Sequence, residues 1–142
     1  IHHRLVGSEM CIRDRVERGR GRVVIIASVA GWRGLPRAAA YGPTKAALIS
    51  LATSLRFDLE PKGITVQVIS PGFVDTEATA VNDFTMPQLM TIDAAAAEII
   101  AGMQTSRFEI SFPRRFALTM RLISLLPWSL YFRLVGMRTG AK

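Results

Sequence analysis

Three polar side chains with complementary acid–base chemistry lie in the first third of the chain. Tyr41 and Lys45 are four residues apart, and Ser28 precedes Tyr41 by 13 residues. Residues four apart on a helix project from the same face. A nearby ammonium favours the phenolate form of a phenol and brings the pKa of that phenol down from about 10, toward the range useful for proton transfer. These residue types indicate proton transfer to or from an alcohol or carbonyl oxygen, with the Ser28 hydroxyl holding that oxygen.

Two runs of β-branched residues surround this set and predict strands. The first, Arg22–Ser28, has the sequence RVVIIAS, and the second, Ile64–Ser70, has the sequence ITVQVIS. Continuous apolar runs of this kind are typical of parallel strands buried on both faces. Ser28 is at the carboxyl end of the first run, where ligands bind in open parallel sheets.

An amphipathic helix is predicted between the two strands, from about Ala40 to Glu60. Pro61 and Gly63 end it. The order strand, helix, strand predicts a right-handed crossover, so the two strands are parallel. The apolar positions that follow helical spacing are Leu48, Leu51, Ala52, Leu55 and Leu59.

The chain after the second strand predicts a loop, a helix and a third strand. From Pro71–Gly72 to about Met90 no period is clear, and we expect a long loop with one short helix. Thr91 is placed to cap a helix from about Asp93 to Met103, and a strand follows at Arg107–Phe112. The expected fold class is α/β, the C-terminal part of a doubly wound parallel sheet with about three strands and flanking helices.

The last segment, Phe116–Val135, is strongly apolar but is interrupted by Arg121, Pro127 and Arg133. A central arginine in a membrane-spanning helix costs a few kcal/mol, so we expect two amphipathic helices hinged at Pro127 instead of a span. Their apolar face fits either a membrane surface, or the substrate pocket or another subunit. The side chains expected at a membrane interface are Leu122, Leu125, Leu126, Trp128, Leu130, Tyr131 and Phe132, with Arg114, Arg115, Arg121, Arg133 and Arg138 beside the lipid phosphates.

Composition and charge exclude several classes of protein. The 142 residues are 49% hydrophobic and include 18 Lys and Arg, 11 Asp and Glu, and one cysteine. Residues 23–105 contain 5 basic and 7 acidic side chains, so the positive charge is concentrated at the two ends and no nucleic-acid binding is expected. Neither a disulfide scaffold nor a metal site is expected. The expected location is cytoplasmic, at a membrane surface if the last segment binds lipid.

The first 15 residues differ from the rest of the chain. They lack helical or strand periodicity and combine His2, His3 and Cys11 with scattered arginines, and residues 6–15 resemble translated adapter sequence. We expect this leader to be non-native and base no fold prediction on it. The expected organisation is a leader at 1–15, a sheet domain at 16–112 and an apolar, basic helical extension at 113–142.

The set Ser28, Tyr41 and Lys45, followed by the segment Pro71–Thr76 (PGFVDT), resembles the short-chain dehydrogenase/reductase family. The similarity covers about residues 20–112. The resemblance implies a Rossmann-type oxidoreductase that transfers a hydride between NAD or NADP and an alcohol or ketone, in a parent protein that forms homo-oligomers. Pro43 and Thr44 replace the Ala and Ser that are frequent in the family between Tyr and Lys, and Pro is tolerated in the first turn of a helix.

The resemblance also implies a role for each residue of the set. Ser28 would orient the substrate oxygen, Tyr41 would be the general acid–base, and Lys45 would assist Tyr41 and bind the nicotinamide ribose. The segment Pro71–Thr76 would line the nicotinamide. The expected cofactor-binding residues are Tyr41, Lys45, Pro71, Gly72, Val74 and Thr76.

The glycine-rich phosphate turn of the family is not found in the sequence, because Gly19-Arg20-Gly21 precedes a strand instead of following one. We therefore expect this chain to lack the adenosine-binding half of the domain and to have little or no turnover alone. The strand at 22–28 would then have a bare edge. A non-catalytic remnant or interaction module, in which the Ser–Tyr–Lys set is inherited but unused, is the alternative.

The side chains available to cover a substrate pocket are apolar and partly adaptable. They predict a hydrophobic alcohol or ketone as the substrate. These side chains are Phe73, Phe84, Met86, Met90 and Trp128.

Overall fold

The computed structural model describes residues 11–139, which contain a three-stranded parallel sheet. Its strands are β1 (Gly21–Ile26), β2 (Ile64–Pro71) and β3 (Glu109–Phe112), and β2 lies in the middle. In the register, Val23 pairs with Val66, and Val68 pairs with Glu109. The predicted α/β fold class is confirmed.

Six helices accompany the sheet in the described residues. Helix α1 covers residues 11–18, and the others are α2 (Tyr41–Leu59), α3 (Glu77–Ala80), α4 (Ile92–Met103), α5 (Arg114–Ser124) and α6 (Trp128–Thr139). The predicted hinge at Pro127 separates α5 from α6. The Thr91 hydroxyl accepts the Ala94 N–H at 3.3 Å, as expected of a helix cap.

Part of the leader contributes to this structure, since residues 11–15 belong to α1. Ile12 and Val16 pack against the first core cluster described below. His2 and His3 lie outside the described residues. Among residues 11–139, no group of three or more His, Cys, Asp or Glu side chains is arranged to hold a metal ion.

Helix α2 covers one face of the sheet because alternate residues of each strand project toward it. Ala52 and Leu59 of α2 are buried against Ile64, Val66 and Val68 of β2. Leu48 and Leu55 pack at the border of this cluster. Leu51 was predicted to lie on the apolar face, but its side chain is 49% exposed, because the buried stripe of α2 is narrower than the run of leucines suggests.

Helix α4 covers the opposite face, where Ala95 packs with Ile69, Ile110 and Phe112. Gln67 also projects to this face and is fully buried. The Gln67 side-chain amide donates to the carbonyl oxygens of Thr105, at 3.1 Å, and Arg107, at 2.9 Å. These two bonds join the connection between α4 and β3 to the middle strand.

Strand β1 forms one edge of the sheet and is only partly buried. Ile26 at its end is 49% exposed, whereas Val68 and Ile69 in β2 are fully buried. The sequence predicted burial of both faces for this strand, but within the described residues it is only half-buried at Arg22–Ile25 and exposed at both ends. The bare edge that the sequence analysis expected is present here.

The helices α5 and α6 turn back toward the segment that follows β1. Tyr131 of α6 is only 2% exposed, and its hydroxyl donates to the Gly34 carbonyl oxygen at 2.5 Å. Tyr131 is therefore a core residue. The sequence analysis had listed it among the side chains expected at a membrane interface, and for Tyr131 that expectation is wrong. Within residues 11–139, no helix has the length and apolar character needed to cross a membrane.

Candidate active site

Ser28 lies just beyond the carboxyl end of β1 and caps the short 3-10 turn Val29–Gly31. Its side-chain oxygen accepts the Ala30 N–H at 3.2 Å and donates to the Pro71 carbonyl oxygen at 3.3 Å. The residue is 6% exposed. These two bonds fix the hydroxyl between the ends of β1 and β2, which is the position that the sequence predicts for a ligand-binding group.

Tyr41 is the first residue of α2, and Lys45 lies one turn later. The Lys45 ammonium donates to the Ile26 carbonyl oxygen at 3.3 Å and lies 5.5 Å from the centre of the Tyr41 ring. Tyr41 is 53% exposed, so a ligand has access to its side chain. The structure thus brings the Lys45 ammonium to Ile26, the last residue of β1, which is two residues before Ser28. The Tyr41 ring lies beside the ammonium.

Two glycines allow α2 to approach the Ser28 turn this closely. A Cβ atom on Gly31 would lie 2.7 Å from the Lys45 carbonyl carbon, and one on Gly42 would lie 3.3 Å from the Ala30 carbonyl oxygen. The first distance is shorter than van der Waals contact and involves backbone, which moves with difficulty. The relative position of Ser28 and Lys45 therefore depends on Gly31.

Strand β2 ends at Pro71, and Gly72 follows it, at the same end of the sheet as Ser28. Besides the Ser28 bond to the Pro71 carbonyl, the Gly72 N–H donates to the Phe112 carbonyl oxygen at 2.7 Å. A Cβ atom on Gly72 would lie 2.8 Å from the Phe116 ring. The absence of a side chain at Gly72 thus lets α5 pack against the end of β2.

Val74 and Thr76 lie in the loop after Gly72 and are both held by Thr79, which the sequence analysis did not single out. The Thr79 hydroxyl donates to the Val74 carbonyl oxygen at 2.6 Å and accepts the Thr76 N–H at 2.9 Å. The signal in the sequence was a threonine three residues after a potential helix cap, a spacing that allows reciprocal capping. Among the described residues, the Val74 N–H has no hydrogen-bond acceptor.

Apolar side chains surround this loop. Phe73 contacts Phe84, with ring centres 5.8 Å apart, and Phe116, with ring centres 5.6 Å apart. Met90 pairs with Val74 and packs against the second core cluster, so it supports the loop from behind. Trp128 packs on Phe132 and Arg33, away from these rings. Of the side chains predicted to cover a pocket, Phe73 and Phe84 are adjacent, and Phe116 joins them.

A separate cleft of about 530 Å³ lies along β3, between α4 and α5. Its lining includes Trp32, Glu109 and Arg121, but not Ser28, Tyr41 or Lys45. Ligands of open parallel sheets bind beyond the carboxyl ends of the strands, and this cleft lies beside a strand instead. The candidate active site is therefore the region around Ser28 and not this cleft.

Comparison with known protein families matches residues 4–85 to the short chain dehydrogenase family. The chain belongs to this family. The matched part of this short-chain dehydrogenase includes the Ser28 turn, the start of α2 and the loop that contains Val74. The geometry and the family match therefore concern the same residues.

One relative of this short-chain dehydrogenase is an uncharacterized oxidoreductase of Myxococcus xanthus, with 43% identity over 116 residues. The match covers 82% of this chain and 46% of the relative. A solved short-chain dehydrogenase from Sphingobium yanoikuyae in complex with NADPH has 28% identity and a TM-score of 0.65, and the match covers 90% of this chain and 47% of that one.

A second solved structure is the bulky-bulky ketone specific alcohol dehydrogenase of Comamonas testosteroni. It has 25% identity and a TM-score of 0.62, with 91% of this chain and 45% of that one covered. The short-chain dehydrogenase described here thus spans less than half the length of each of these three proteins.

Proposed function

We propose that this chain contains the catalytic half of an oxidoreductase that transfers a hydride between NAD or NADP and a hydrophobic alcohol or ketone. The observation that carries the proposal is the hydrogen bond from Ser28 to the Pro71 carbonyl, with the Lys45 ammonium on the carbonyl of Ile26. Through these bonds the Ser–Tyr–Lys set and the segment Pro71–Thr76 lie together at the carboxyl ends of β1 and β2. Membership of the short-chain dehydrogenase family supports the same chemistry.

In this proposal Tyr41 is the general acid–base. When an alcohol is oxidised, the phenolate oxygen of Tyr41 accepts the hydroxyl proton, and when a ketone is reduced the phenol returns it. Lys45 stabilises the negative charge on that oxygen by electrostatic attraction. When substrate binds, the Ser28 hydroxyl breaks its hydrogen bond to the Pro71 carbonyl oxygen and donates to the substrate oxygen instead. The nicotinamide, when bound, accepts or supplies the hydride.

The loop Pro71–Thr76 is suited to hold the nicotinamide. The Val74 N–H has no acceptor among the described residues, and the Thr76 hydroxyl, which caps α3, lies 3.4 Å from Thr79 Oγ1. A carboxamide group offers both an acceptor and a donor to such a pair. These groups fit the cofactor, with Val74 and Thr76 binding the carboxamide and Lys45 binding the ribose. The NADPH complex of the Sphingobium relative is consistent with this assignment.

A hydrophobic substrate is favoured by the rings beside this loop. Phe73, Phe84 and Phe116 form a continuous apolar contact next to Gly72, and such a wall excludes water from a ketone and offers it no polar partner. The Comamonas relative is described as specific for bulky ketones, which agrees with this substrate class.

We propose further that the chain has little or no turnover alone. Among the described residues, no strand is followed by the glycine-rich turn that binds the cofactor phosphates. The test is nicotinamide fluorescence with this chain and with the chain extended upstream by the natural start of its gene. We expect only the extended protein to bind the cofactor and oxidise apolar alcohols. Binding by the present chain would refute the claim of incompleteness, and failure of both would refute the reductase proposal and favour the non-catalytic remnant.

Two substitutions in the extended protein test the residue roles, and a third is a control. Tyr41→Phe is expected to abolish turnover while cofactor binding remains. Lys45→Met is expected to weaken cofactor binding and turnover together, and Lys62→Met is its matched control, because Lys62 is exposed in the turn after α2. Equal effects of the two lysine substitutions would contradict the role of Lys45.

Self-association through α2 fits the exposed side of that helix. Leu51 is 49% and Phe57 is 77% exposed there, and large exposed apolar side chains are typical of contacts between proteins. We propose that a second copy of the protein covers this face. Sedimentation of the extended protein is expected to give a dimer or larger assembly that Phe57→Lys dissociates. An unchanged assembly would exclude α2 as the contact.

A second candidate function is binding to an anionic membrane surface through α5 and α6. Leu118 and Leu122 of α5 and Leu125 at its C-terminal cap are each more than half exposed, and they lie at helical spacing. Residues 113–142 contain no Asp or Glu, although they contain five arginines and a lysine. An apolar face flanked by basic residues alone is complementary to anionic lipid.

Vesicle sedimentation tests this second function on the chain itself. We expect binding to vesicles of phosphatidylcholine with phosphatidylglycerol, weaker binding to phosphatidylcholine alone, and a decrease with salt. Replacing Leu118, Leu122 and Leu125 together by Gln is expected to reduce binding by about tenfold or more. The matched control is Leu51→Gln with Phe57→Gln on α2. Equal loss in both variants would refute a specific role for α5.

A further inference from the structure

We infer that the tripeptide Trp32–Gly34 joins the C-terminal helices to the Ser28 turn, and that Arg33 is a positioning residue for Ser28. The inference rests on the proposed function for its catalytic consequence. Each residue of the tripeptide contacts a different part of the segment from Glu109 to Tyr131, as the following contacts show.

Arg33 is held on several sides. Its guanidinium donates from one nitrogen to the carbonyl oxygens of Ser124 and Leu126, both at 2.6 Å. The guanidinium carbon lies 3.9 Å from the Trp128 ring centre and 4.1 Å from that of Tyr131. The carbonyls at the end of α5 lack partners within the helix, so an arginine there completes its C-terminus while stacking on α6.

The Nε atom of Arg33 is buried and has no hydrogen-bond partner among residues 11–139. A buried guanidinium nitrogen without a partner is unfavourable, so the stacking and the two carbonyl bonds must outweigh that cost. The side chain is therefore confined by its surroundings and is not a freely moving surface arginine.

Trp32 and Gly34 attach the same tripeptide at two further points. The Trp32 indole N–H donates to the Glu109 carboxylate at 2.7 Å, and the guanidinium of Arg121 lies over the Trp32 ring at 4.2 Å while it also pairs with Glu109. On the other side, the Gly34 carbonyl accepts the buried Tyr131 hydroxyl. The tripeptide is thereby attached to β3, α5 and α6.

The tripeptide continues directly from the turn that presents Ser28. The Trp32 N–H donates to the Val29 carbonyl oxygen at 3.2 Å, and the Gly31 N–H donates to the Ser28 carbonyl oxygen at 3.0 Å. Gly31 lies against the backbone of Lys45. A displacement of Arg33 is therefore transmitted through one short turn to both Ser28 and the start of α2.

The C-terminal helices also reach the second loop of the site, because Phe116 of α5 contacts Phe73 and Gly72. One unit, α5 with α6, thus contacts the loop after β1 through Arg33 and the loop after β2 through Phe116. The position of the Ser28 turn therefore depends on the packing of α5 and α6. A large ketone fills more of the space beside Ser28 than a small one, so its binding should be affected more by a displacement of that turn.

Hydrogen exchange of this chain tests the positioning role independently of any activity. Arg33→Met keeps an unbranched apolar stem and removes the donors, and we expect it to accelerate exchange of the amides of Ala30, Gly31 and Trp32 by about tenfold. The amides of Val68 and Ile69 should keep their rates. Tyr131→Phe, a smaller change, should give a smaller acceleration at the same amides.

The matched control is Arg37→Met, since Arg37 is in the same connection but pairs with Asp83 on the surface, where the two side chains are 71% and 79% exposed. Acceleration equal to that of the control, or equal acceleration throughout the chain, would overturn the positioning role.

In the extended protein, Arg33→Met is expected to raise KM for a bulky aryl ketone more than for acetone, with Arg33→Lys partly restoring it. An unchanged ratio of the two KM values would overturn the catalytic consequence. If the extended protein reduces no ketone, the proposed function fails, and the exchange result still decides the positioning role.

Discussion

The Thr79 hydroxyl lies 2.6 Å from the carbonyl oxygen of Val74, to which it donates a hydrogen bond. The Thr79 hydroxyl oxygen also accepts the N–H of Thr76, at 2.9 Å. One side chain therefore fixes the carbonyl of one proposed cofactor-binding residue and the amide of the other. Without this bond, the loop between β2 and α3 would depend mainly on the backbone pairing of Val74 with Met90.

Thr79→Val, which removes the hydroxyl but keeps the branched shape, is expected to weaken cofactor binding to the extended protein. Loss of one hydrogen bond of ordinary strength corresponds to about a fivefold increase in Kd. Thr79→Ser retains the hydroxyl and should bind nearly as well as the wild type. Fluorescence titration with NADPH and NADH measures both, and equal affinities for the Val and Ser variants would contradict the role of Thr79.

Gly31→Ala is expected to reduce the free energy of unfolding by about 1–3 kcal/mol, because the added Cβ would collide with the backbone of Lys45. Gly34→Ala is the matched control, since nothing lies within 4 Å of a Cβ atom at that position. Its effect should stay within about 0.5 kcal/mol. Urea denaturation followed by circular dichroism distinguishes the two, and similar midpoints would argue against the close approach of α2.

Gln67→Leu is expected to destabilise the chain by about 1 kcal/mol, because the carbonyls of Thr105 and Arg107 lose a donor. Loss of the buried Gln67 Oε1, which has no partner among the described residues, offsets part of that cost. Leu has a similar size, so the cavity contribution is small. Gln104→Leu, on the exposed end of α4, should have little effect. The same urea titration measures both changes. A neutral Gln67→Leu would mean that the two carbonyls find other donors.

The stability of the chain should decrease at alkaline pH through Tyr131. Burial raises the pKa of the Tyr131 phenol, and the positive charge of Arg33 opposes this shift without cancelling it. The folded-state pKa lies above the unfolded value of about 10. The stabilisation of the folded state by the neutral phenol is therefore fully present below about pH 10. It is lost as the pH rises through the folded-state pKa.

Tyr131→Phe should therefore have a lower free energy of unfolding near neutral pH and a weaker decrease above about pH 10. Phe132→Leu changes the neighbouring ring without removing a titrating group and should keep the slope of the wild type. Urea titrations between about pH 8 and pH 11 give the three slopes. A Tyr131→Phe slope equal to that of the wild type would show that this phenol does not contribute.

The sequence by itself determined the elements of the sheet and the position of the proposed chemistry along the chain. The β-branched runs predicted β1 and β2 within two residues of their observed ends, and Tyr41 with Lys45 necessarily lies on one face of α2. These features are local, because a periodicity depends only on neighbouring residues. The same holds for the end of α2, which Pro61 and Gly63 determine.

Only the tertiary structure decided which side chains meet across long separations. Trp32 and Glu109 are 77 residues apart, and Gly34 and Tyr131 are 97 residues apart. Periodicity places Tyr131 on an apolar helix face, but it does not say whether that face meets lipid or Gly34. It also does not show that Leu51 is exposed or that Met90 packs, partly buried, against the second core cluster. Such outcomes depend on how the elements pack, which no local pattern contains.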